Sequence, residues 1–253
     1  MKVIGVIPAR MGSSRFPGKP LALIRGMPMI EHVYKRSAMS ESLDELYVAT
    51  CDKEIYEAVE QFGGNAIMTD ICHERCTDRV AEAVNDMDLD IVVIIQGDEP
   101  LVYPDMIDQA VKAIVEDDSI VCVNLMAEMK NDADFNDPNE VKVVVDNENN
   151  ALYFSRESIP SNKKYANAYA RYKQVCIMPF RKDFLMKYNN MKPTPLEIIE
   201  SVDMLRILEH GYKVKMVPTE RNTLSVDTLE DLNKVELIME GDSLMKQYWS
   251  DSL

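Results

Sequence analysis

Short apolar runs alternate with longer helical patterns through the first half of the chain. The runs KVIGVI, ELYVAT and IVVIIQ are mainly apolar, and the segments between them carry apolar residues at helical spacing. Continuous apolar strands are typical of parallel sheets, because each crossover between parallel strands lays a helix on one face of the sheet. The pattern therefore predicts an α/β protein with a mostly parallel central sheet and helices on both faces.

The pattern changes near residue 120, where β-rich runs become more frequent. Two such runs, VKVVV and ALYF, flank the turn-prone cluster 146–150 and predict a hairpin. YKQVCIMPF predicts one strand, and 195–209 predicts one helix that ends at His210 and Gly211. A length of 253 residues suits one elaborated domain, so we expect a single domain with a β-rich second half.

The composition argues against several classes of protein. Twenty-eight basic side chains against 43 acidic ones give a net charge of −15, and so negative a surface repels nucleic acid. No apolar run approaches the ~18 residues of a membrane span, and we expect a cytoplasmic protein. The five cysteines are interpreted as reduced thiols, and Cys72, His73 and Cys76 as part of a turn in preference to a zinc site.

The first strand runs into a glycine-rich, basic loop, IPARMGSSRFPGKP. Backbone N–H groups of such a loop bind phosphate when it leads from a strand towards a helix. The spacing matches neither the P-loop nor the dinucleotide pattern. An ordinary solvated loop is the alternative, but the loop is the densest basic cluster in an acidic chain and favours an anionic ligand. The side chains suited to a triphosphate are Arg10, Ser13, Ser14, Arg15 and Lys19.

Two acidic residues follow later apolar runs. IIQGDEP puts Asp98 at the carboxyl edge of the sheet, where α/β proteins bind ligands, and Asp227 follows in SVDTLEDL. Together these carboxylates suit Mg²⁺ over a phosphoryl group, since Mg²⁺ prefers oxygen ligands. Structural roles stay open, with Asp98 as a turn former and Asp227 or Thr228 as the cap of the last helix. In CTDR, Asp78 is a candidate helix cap and Arg79 a candidate ligand contact.

Six segments occur in the order found in the 3-deoxy-manno-octulosonate cytidylyltransferases. They are IPARMGSSRFPGKPL, the MTD to TDRVAEAV region, VIIQGDEPLV, VKVVVDNENNALYFSR, PLEIIESVDMLRILEHG and VDTLEDL, and they extend over nearly the whole chain. The chain thus resembles this family, which has a Rossmann-like nucleotide-diphospho-sugar transferase fold. The resemblance implies Mg²⁺-dependent transfer of CMP from CTP to an acidic sugar, with release of pyrophosphate, by a homodimer that serves polysaccharide biosynthesis.

The resemblance also implies roles for individual residues within one domain, 1–253. The nucleotide half would be about 1–120, and the acceptor-binding and dimerisation half about 121–253. The implied catalytic residues are Arg10, Lys19, Asp98 and Asp227, of which the two aspartates would bind the metal. The implied nucleotide contacts are Ala9, Arg10, Ser13, Arg15, Lys19, Arg79 and Gln96. The implied acceptor contacts are Gln96, Arg156, Gln174 and Asp203, with the planar guanidinium of Arg156 holding the sugar carboxylate.

Departures from the family pattern concentrate on the acceptor side. Gln174 stands where a histidine is usual, and Asp203 with Met204 where Glu-Gln is common. The family's histidine and Glu-Gln side chains can form hydrogen bonds to sugar hydroxyls, and such bonds discriminate strongly between sugars. Their replacement makes a related 2-keto sugar acid a second hypothesis for the acceptor. A same-fold nucleotidyltransferase for another hydroxy-carboxylate or a sugar phosphate also stays open. So does a non-catalytic CTP-binding protein, which the presence of both Asp98 and Asp227 disfavours.

Overall fold

The computed structural model describes residues 1–13, 15–161, 170–221 and 223–249. The chain forms two compact units: a first unit of Met1–Asp108 with Thr223–Leu253, and a second unit of Gln109–Asn222. The C-terminal segment thus belongs to the first unit, although it follows the second unit in sequence.

The first unit contains a parallel sheet with helices packed against it. In chain order its elements are β1 (Val3–Ala9), β2 (Leu23–Ile24), β3 (Met27–Pro28), α1 (Met29–Ser37), β4 (Glu45–Thr50), α2 (Lys53–Gln61), β5 (Ala66–Met68), α3 (Cys76–Ala83), β6 (Ile91–Ile95) and α4 (Pro104–Glu116). Helix α4 extends into the second unit. The C-terminal segment adds α9 (Leu229–Met239) and α10 (Met245–Tyr248) to the first unit. Four strands pair in parallel in the order β6-β1-β4-β5. Every residue of β1 and β6 is buried, which is why their sequences are apolar without alternation. The predicted α/β architecture is confirmed.

The strand order of this sheet changes direction at β1. The chain passes from β1 to β4 and β5 on one side, and then to β6 on the other side. In open α/β sheets the ligand crevice lies at such a point, outside the carboxyl ends of the two strands. Here those ends are Ala9 and Ile95. The loops that follow β1 and β6 therefore enter the same space.

The second unit contains a mixed sheet and several helices. Its elements are β7 (Val123–Glu128), α5 (Asp132–Asn136), β8 (Lys142–Val145), β9 (Ala151–Ser155), β10 (Tyr172–Val175), β11 (Ile177–Arg181), α6 (Lys182–Asn189), α7 (Pro195–Glu200), α8 (Met204–Glu209) and β12 (Lys215–Thr219). The strand order of the sheet is β12-β7-β10-β8-β9. β8 and β9 pair antiparallel, which confirms the predicted hairpin.

Two elements that the sequence predicts as continuous are divided. Cys176 forms a bend between β10 and β11, because β10 joins the second unit's sheet whereas β11 is not a strand of that sheet. The predicted helix 195–209 is interrupted at Ser201, whose φ of 54° lies in the left-handed region and ends α7. A serine there gives no sequence signal comparable to that of glycine. The predicted end of the second piece is confirmed at His210 and Gly211.

A buried polar network fixes the C-terminal segment to helix α1. His32 Nδ1 lies 2.9 Å from the Tyr248 hydroxyl, and its Nε2 lies 2.8 Å from the Ile24 carbonyl oxygen. One turn further along α1, Arg36 donates to the Asp242 carboxylate. His32 and Arg36 are both fully buried. The network thus holds the chain after α9 against the first unit.

Burial gives His32 a pH-dependent effect on stability. It lowers the pKa of His32 from 6.5 to about 4, so the unfolded chain binds the proton more tightly than the folded chain. The stability from neutral His32 is therefore present above pH 6.5 and is lost as the pH falls towards 4. We expect this residue to lower the free energy of unfolding by about 2 kcal/mol between pH 8 and pH 5.

Urea unfolding of the wild type and of His32→Gln at both pH values measures this effect. Glutamine does not titrate, so the variant should lose about 2 kcal/mol less over that range. Equal losses in the two proteins would contradict the assignment to His32.

Candidate active site

A cavity of about 310 Å³ opens at the carboxyl ends of β1 and β6. This volume lies at the lower end for small-molecule sites. Five arginine and lysine side chains line it against three carboxylates, an excess of two positive charges in a chain of net charge −15. The cavity therefore suits an anionic ligand. The basic residues are Arg10, Arg15, Lys19, Arg75 and Arg79, and the acidic ones are Glu74, Asp98 and Asp227.

All the residues predicted to contact nucleotide or metal line this cavity, apart from Ser14, which lies outside the described residues. They come from the loop after β1, from α3, from the turn after β6 and from the segment before α9. The set is Ala9, Arg10, Ser13, Arg15, Lys19, Arg79, Gln96, Asp98 and Asp227. Residues widely separated in sequence are thus collected at one sheet edge, while their individual roles remain predictions.

The loop after β1 folds back on itself. The Gly18 N–H donates to the Met11 carbonyl at 3.0 Å, and Gly18 has a φ of 74° that a side chain would disfavour. The Ser13 hydroxyl accepts from the Phe16 N–H at 3.3 Å. Arg10 is exposed, and its side chain has no hydrogen bond or ion pair with any described residue. Its guanidinium is therefore available to a ligand.

Gly97 lets the ends of β1 and β6 approach each other closely. A Cβ atom at Gly97 would lie 2.9 Å from the Pro8 carbonyl oxygen, which is too close without movement of the backbone. The close approach of Pro8 thus explains why the QGDEP run has glycine at this position. The same approach brings the following Asp98 to the loop after β1.

Lys19 lies between the two predicted metal ligands. Its Nζ is 2.7 Å from Asp98 Oδ2, 3.2 Å from Asp227 Oδ1 and 3.0 Å from the Val226 carbonyl oxygen. Asp227 also pairs with Arg15 at 2.9 Å. The Val226 N–H donates to the Asp98 carbonyl at 2.8 Å, which aligns the two acidic segments. Burial would lower the pKa of Lys19, but Asp98 and then Asp227 raise it above its ordinary value, so the amine is charged.

Arg79 and Gln96 are both held by neighbouring groups. The buried Arg79 guanidinium donates to the Thr69 hydroxyl and to the carbonyls of Asp70 and His73, so it also shapes the cavity wall. Gln96 Nε2 lies 3.3 Å from the sulfur of Cys76. We expected Asp78 to be a candidate cap of α3, but Arg75 occupies that position, and Asp78 lies in the first turn.

The sequence did not indicate the cavity residues His73, Glu74, Arg75 and Cys76. They lie in the connection from β5 to α3, which follows a parallel strand and therefore reaches the same sheet edge. That position in the chain is the sequence feature that could have predicted their place in the cavity. His73 pairs with Glu82. No group of three or more His, Cys, Asp or Glu side chains suited to a metal ion occurs in the described ranges.

The predicted acceptor residues other than Gln96 lie in the second unit. Arg156 Nε donates to the Glu200 carbonyl at 2.8 Å, and its Nη1 donates to the Pro138 carbonyl at 3.0 Å. Gln174 Nε2 donates to Asn124 Oδ1 at 2.6 Å. Asp203 precedes α8, and its carbonyl accepts from the Tyr188 hydroxyl. All three positions are thus fixed by local hydrogen bonds, and their contacts to an acceptor remain predictions.

A parallel α/β sheet with a basic, carboxylate-bearing crevice at its switch point places the chain in the class of α/β proteins that bind anionic ligands there. The family model described as cytidylyltransferase matches residues 4–217. The chain is 45% identical to the 3-deoxy-manno-octulosonate cytidylyltransferase of Geobacter metallireducens, over 93% of this chain and 96% of the relative. It is 46% identical to the enzyme of the same name from Geotalea uraniireducens, over 93% and 98%. The chain therefore belongs to the cytidylyltransferase family.

One solved structure agrees with this assignment, and a more distant one agrees with the fold. A CMP:2-keto-3-deoxy-manno-octonic acid synthetase complexed with CTP is 38% identical and covers 95% of this chain and 99% of its own, with a TM-score of 0.90. The 4-diphosphocytidyl-2C-methyl-D-erythritol synthase of Anaerococcus prevotii is 15% identical, with a TM-score of 0.63 over 94% and 99% of the two chains, and shares the fold alone. The chain is a CTP-dependent nucleotidyltransferase of Rossmann-like fold.

Proposed function

We propose that this cytidylyltransferase transfers CMP from CTP to 3-deoxy-manno-octulosonate and releases pyrophosphate. One observation carries the proposal: the basic loop after β1 and the two carboxylates of Asp98 and Asp227 meet in one cavity. The names of relatives about 45% identical over most of both chains support this choice of acceptor. A CMP-activated acidic sugar is a donor for surface polysaccharide, and we propose that the protein serves this synthesis in the cytoplasm.

The proposed reaction is a direct displacement at phosphorus. The anomeric hydroxyl of the sugar attacks the α-phosphorus of CTP. Its oxygen–phosphorus bond forms as the bond to pyrophosphate breaks, and its proton passes to solvent. Arg10, Arg15 and Lys19 hold the triphosphate and stabilise the charge that develops on the pyrophosphate. Three of the five N–H donors of Arg156 have no partner among the described residues, and they suit the sugar carboxylate.

We further propose that Asp98 and Asp227 hold Mg²⁺ together with phosphate oxygens. Their fit to a cation is supported by Lys19, whose ammonium already lies between the two carboxylates and the Val226 carbonyl. These are oxygen donors of the kind that Mg²⁺ prefers. When bound, the metal would orient the phosphoryl group and withdraw negative charge from it.

The altered acceptor side keeps a second candidate open, a related 2-keto sugar acid. Gln174 and Asp203 differ from the family pattern, and the hydrogen bond from Gln174 to the buried Asn124 holds its amide in one orientation. A site that hydrogen-bonds a sugar hydroxyl rejects analogues that lack it, so even one such exchange shifts preference between sugars.

Turnover of the purified protein with CTP, Mg²⁺ and a panel of acidic sugars tests both candidates. We expect kcat/KM for 3-deoxy-manno-octulosonate to exceed that for its amino-substituted analogue at least tenfold, with CTP preferred over the other nucleoside triphosphates. Preference for the analogue would support the second candidate, and turnover of neither sugar acid would contradict the proposed function.

We propose that the protein is a homodimer formed through the second unit. Leu152 on the edge strand β9 and Ile198 and Ile199 on α7 are more than half exposed, and both exposed apolar surface and an unpaired strand edge favour contact with another chain. Light scattering on the purified protein checks this proposal, and a monomeric mass would contradict it.

Among the described residues no helix is long and apolar enough to cross a membrane.

A further inference from the structure

Lys19 has the surroundings of a bound cation. Its ammonium contacts two carboxylates and one backbone carbonyl, which come from the turn after β6 and the segment before α9. The Lys19 side chain is only 14% exposed, and Asp98 and Asp227 are 27% and 22% exposed. The contact is therefore a largely enclosed arrangement and not a loose surface ion pair.

Lys19 and a divalent cation would compete for the same carboxylate pair. A metal ion bound to both carboxylates would lie within a few ångströms of the ammonium, where like charges repel strongly in a partly buried site. Lys19 and Arg15 also balance the two negative charges of Asp98 and Asp227. The carboxylate pair thus has no excess negative charge to attract a free metal ion.

Lys19 is also one of the cations of the basic loop that lines the cavity. A lysine side chain is a flexible four-carbon stem with a compact charge, so its ammonium can move several ångströms without backbone movement. A triphosphate in the cavity offers it a stronger, multiply charged partner than two carboxylates, one of which already pairs with Arg15. Nucleotide binding would therefore draw the ammonium away from Asp98 and Asp227.

We propose that Lys19 is an internal cation that closes the metal site until the triphosphate binds. The proposal rests on the metal role assigned to Asp98 and Asp227 under the proposed function. The site then opens to metal only when nucleotide is present, which prevents occupation by free divalent cations. By thermodynamic reciprocity, metal bound to the carboxylates strengthens nucleotide binding by the same factor.

Mn²⁺ binding in the absence of nucleotide tests the proposal, with the electron paramagnetic resonance signal of free Mn²⁺ as the readout. We expect weak binding to the wild type and at least tenfold tighter binding to Lys19→Met, whose side chain has similar length and no charge. Lys19→Gln serves as a second neutral variant in case the first does not fold. The double variant Lys19→Met with Asp98→Asn should lose the gain.

A thermal-unfolding measurement gives a second readout without turnover. Mn²⁺ alone should raise the Tm of the neutral Lys19 variants more than that of the wild type, since a ligand stabilises a protein more strongly the more tightly it binds the folded state. Equal Mn²⁺ affinity of the wild type and both neutral variants would overturn the proposal. So would a gain that persists in the double variant, because the tighter binding would then lie elsewhere.

A parallel measurement with saturating CTP separates this proposal from the metal role itself. Asp98→Asn should weaken Mn²⁺ binding to the CTP complex relative to the wild type. If it does so while the Lys19 variants show no gain, the internal-cation proposal is wrong and the metal role stands. If Asp98→Asn has no effect with CTP, the metal role is wrong, and the proposal falls with it.

Discussion

Replacing Asp98 with asparagine should lower kcat about 1000-fold and leave a folded protein. Asparagine keeps the shape of the side chain but removes its charge, so the carboxylate pair would no longer hold a divalent cation against the phosphates. Loss of such charge stabilisation at the transition state is worth about 4 kcal/mol, which corresponds to the expected decrease. Steady-state kinetics with saturating CTP and sugar measures the change.

A matched exposed carboxylate supplies the control for this variant. Asp86 lies just beyond α3, is exposed and does not line the cavity, so Asp86→Asn should keep wild-type turnover. The asparagine variant of Asp98 should retain a cooperative thermal transition, because Lys19 still pairs with Asp227. Unchanged turnover in Asp98→Asn would refute the catalytic role of this residue.

The largest expected loss of stability comes from a buried ion pair in the second unit. Arg206 Nε and Nη2 donate to the two oxygens of Glu197 at 2.7 and 2.6 Å, and the side chains are only 4% and 1% exposed. The Arg206 guanidinium also lies 4.5 Å from the centre of the Tyr188 ring. Glu197→Gln should lower the free energy of unfolding by about 3–5 kcal/mol, because it leaves a buried charge without its partner.

Urea unfolding of Glu197→Gln and of two comparison proteins tests this expectation. Glu57→Gln removes one partner of the exposed pair between Lys53 and Glu57 and should change the free energy of unfolding by about 0.5 kcal/mol or less. The double variant Glu197→Leu with Arg206→Leu removes both charges and should be more stable than Glu197→Gln. A loss below about 1 kcal/mol in Glu197→Gln would contradict a dominant role for the pair.

Elements with a strong local signal were predictable. The apolar strands β1 and β6 are buried on both faces, and this burial demands the continuous apolar runs from which they were predicted. Thr228, one of the two predicted caps of α9, accepts from the Asp231 N–H at 3.2 Å, as a serine or threonine cap does. The breaks at Cys176 and Ser201 were missed, because a bend or a left-handed residue formed without glycine or proline leaves no mark in the periodicity.

The residues that line the cavity likewise include some that were predicted from the sequence and some that were not. The loop after β1 and Asp98 after β6 follow from the sequence, since parallel strands deliver their carboxyl ends to one edge. The residues His73 to Cys76 were overlooked, because their sequence suggested only a turn or a metal-binding cluster. Their contribution to the wall depends on how the connection from β5 packs, which no local pattern describes.

The sequence by itself determined the parallel α/β fold, the basic loop and the strand-end carboxylate. Buried parallel strands require continuous apolar runs, and the residues that follow such strands lie at one edge of the sheet. Only the tertiary structure decided that the C-terminal segment returns to the first unit, where the Val226 N–H bonds to the Asp98 carbonyl and aligns Asp227 with Asp98. It alone also showed that the Lys19 ammonium lies between these carboxylates. The physical reason is that contacts between distant residues depend on the folding of all the chain between them, and local periodicity carries no record of that path.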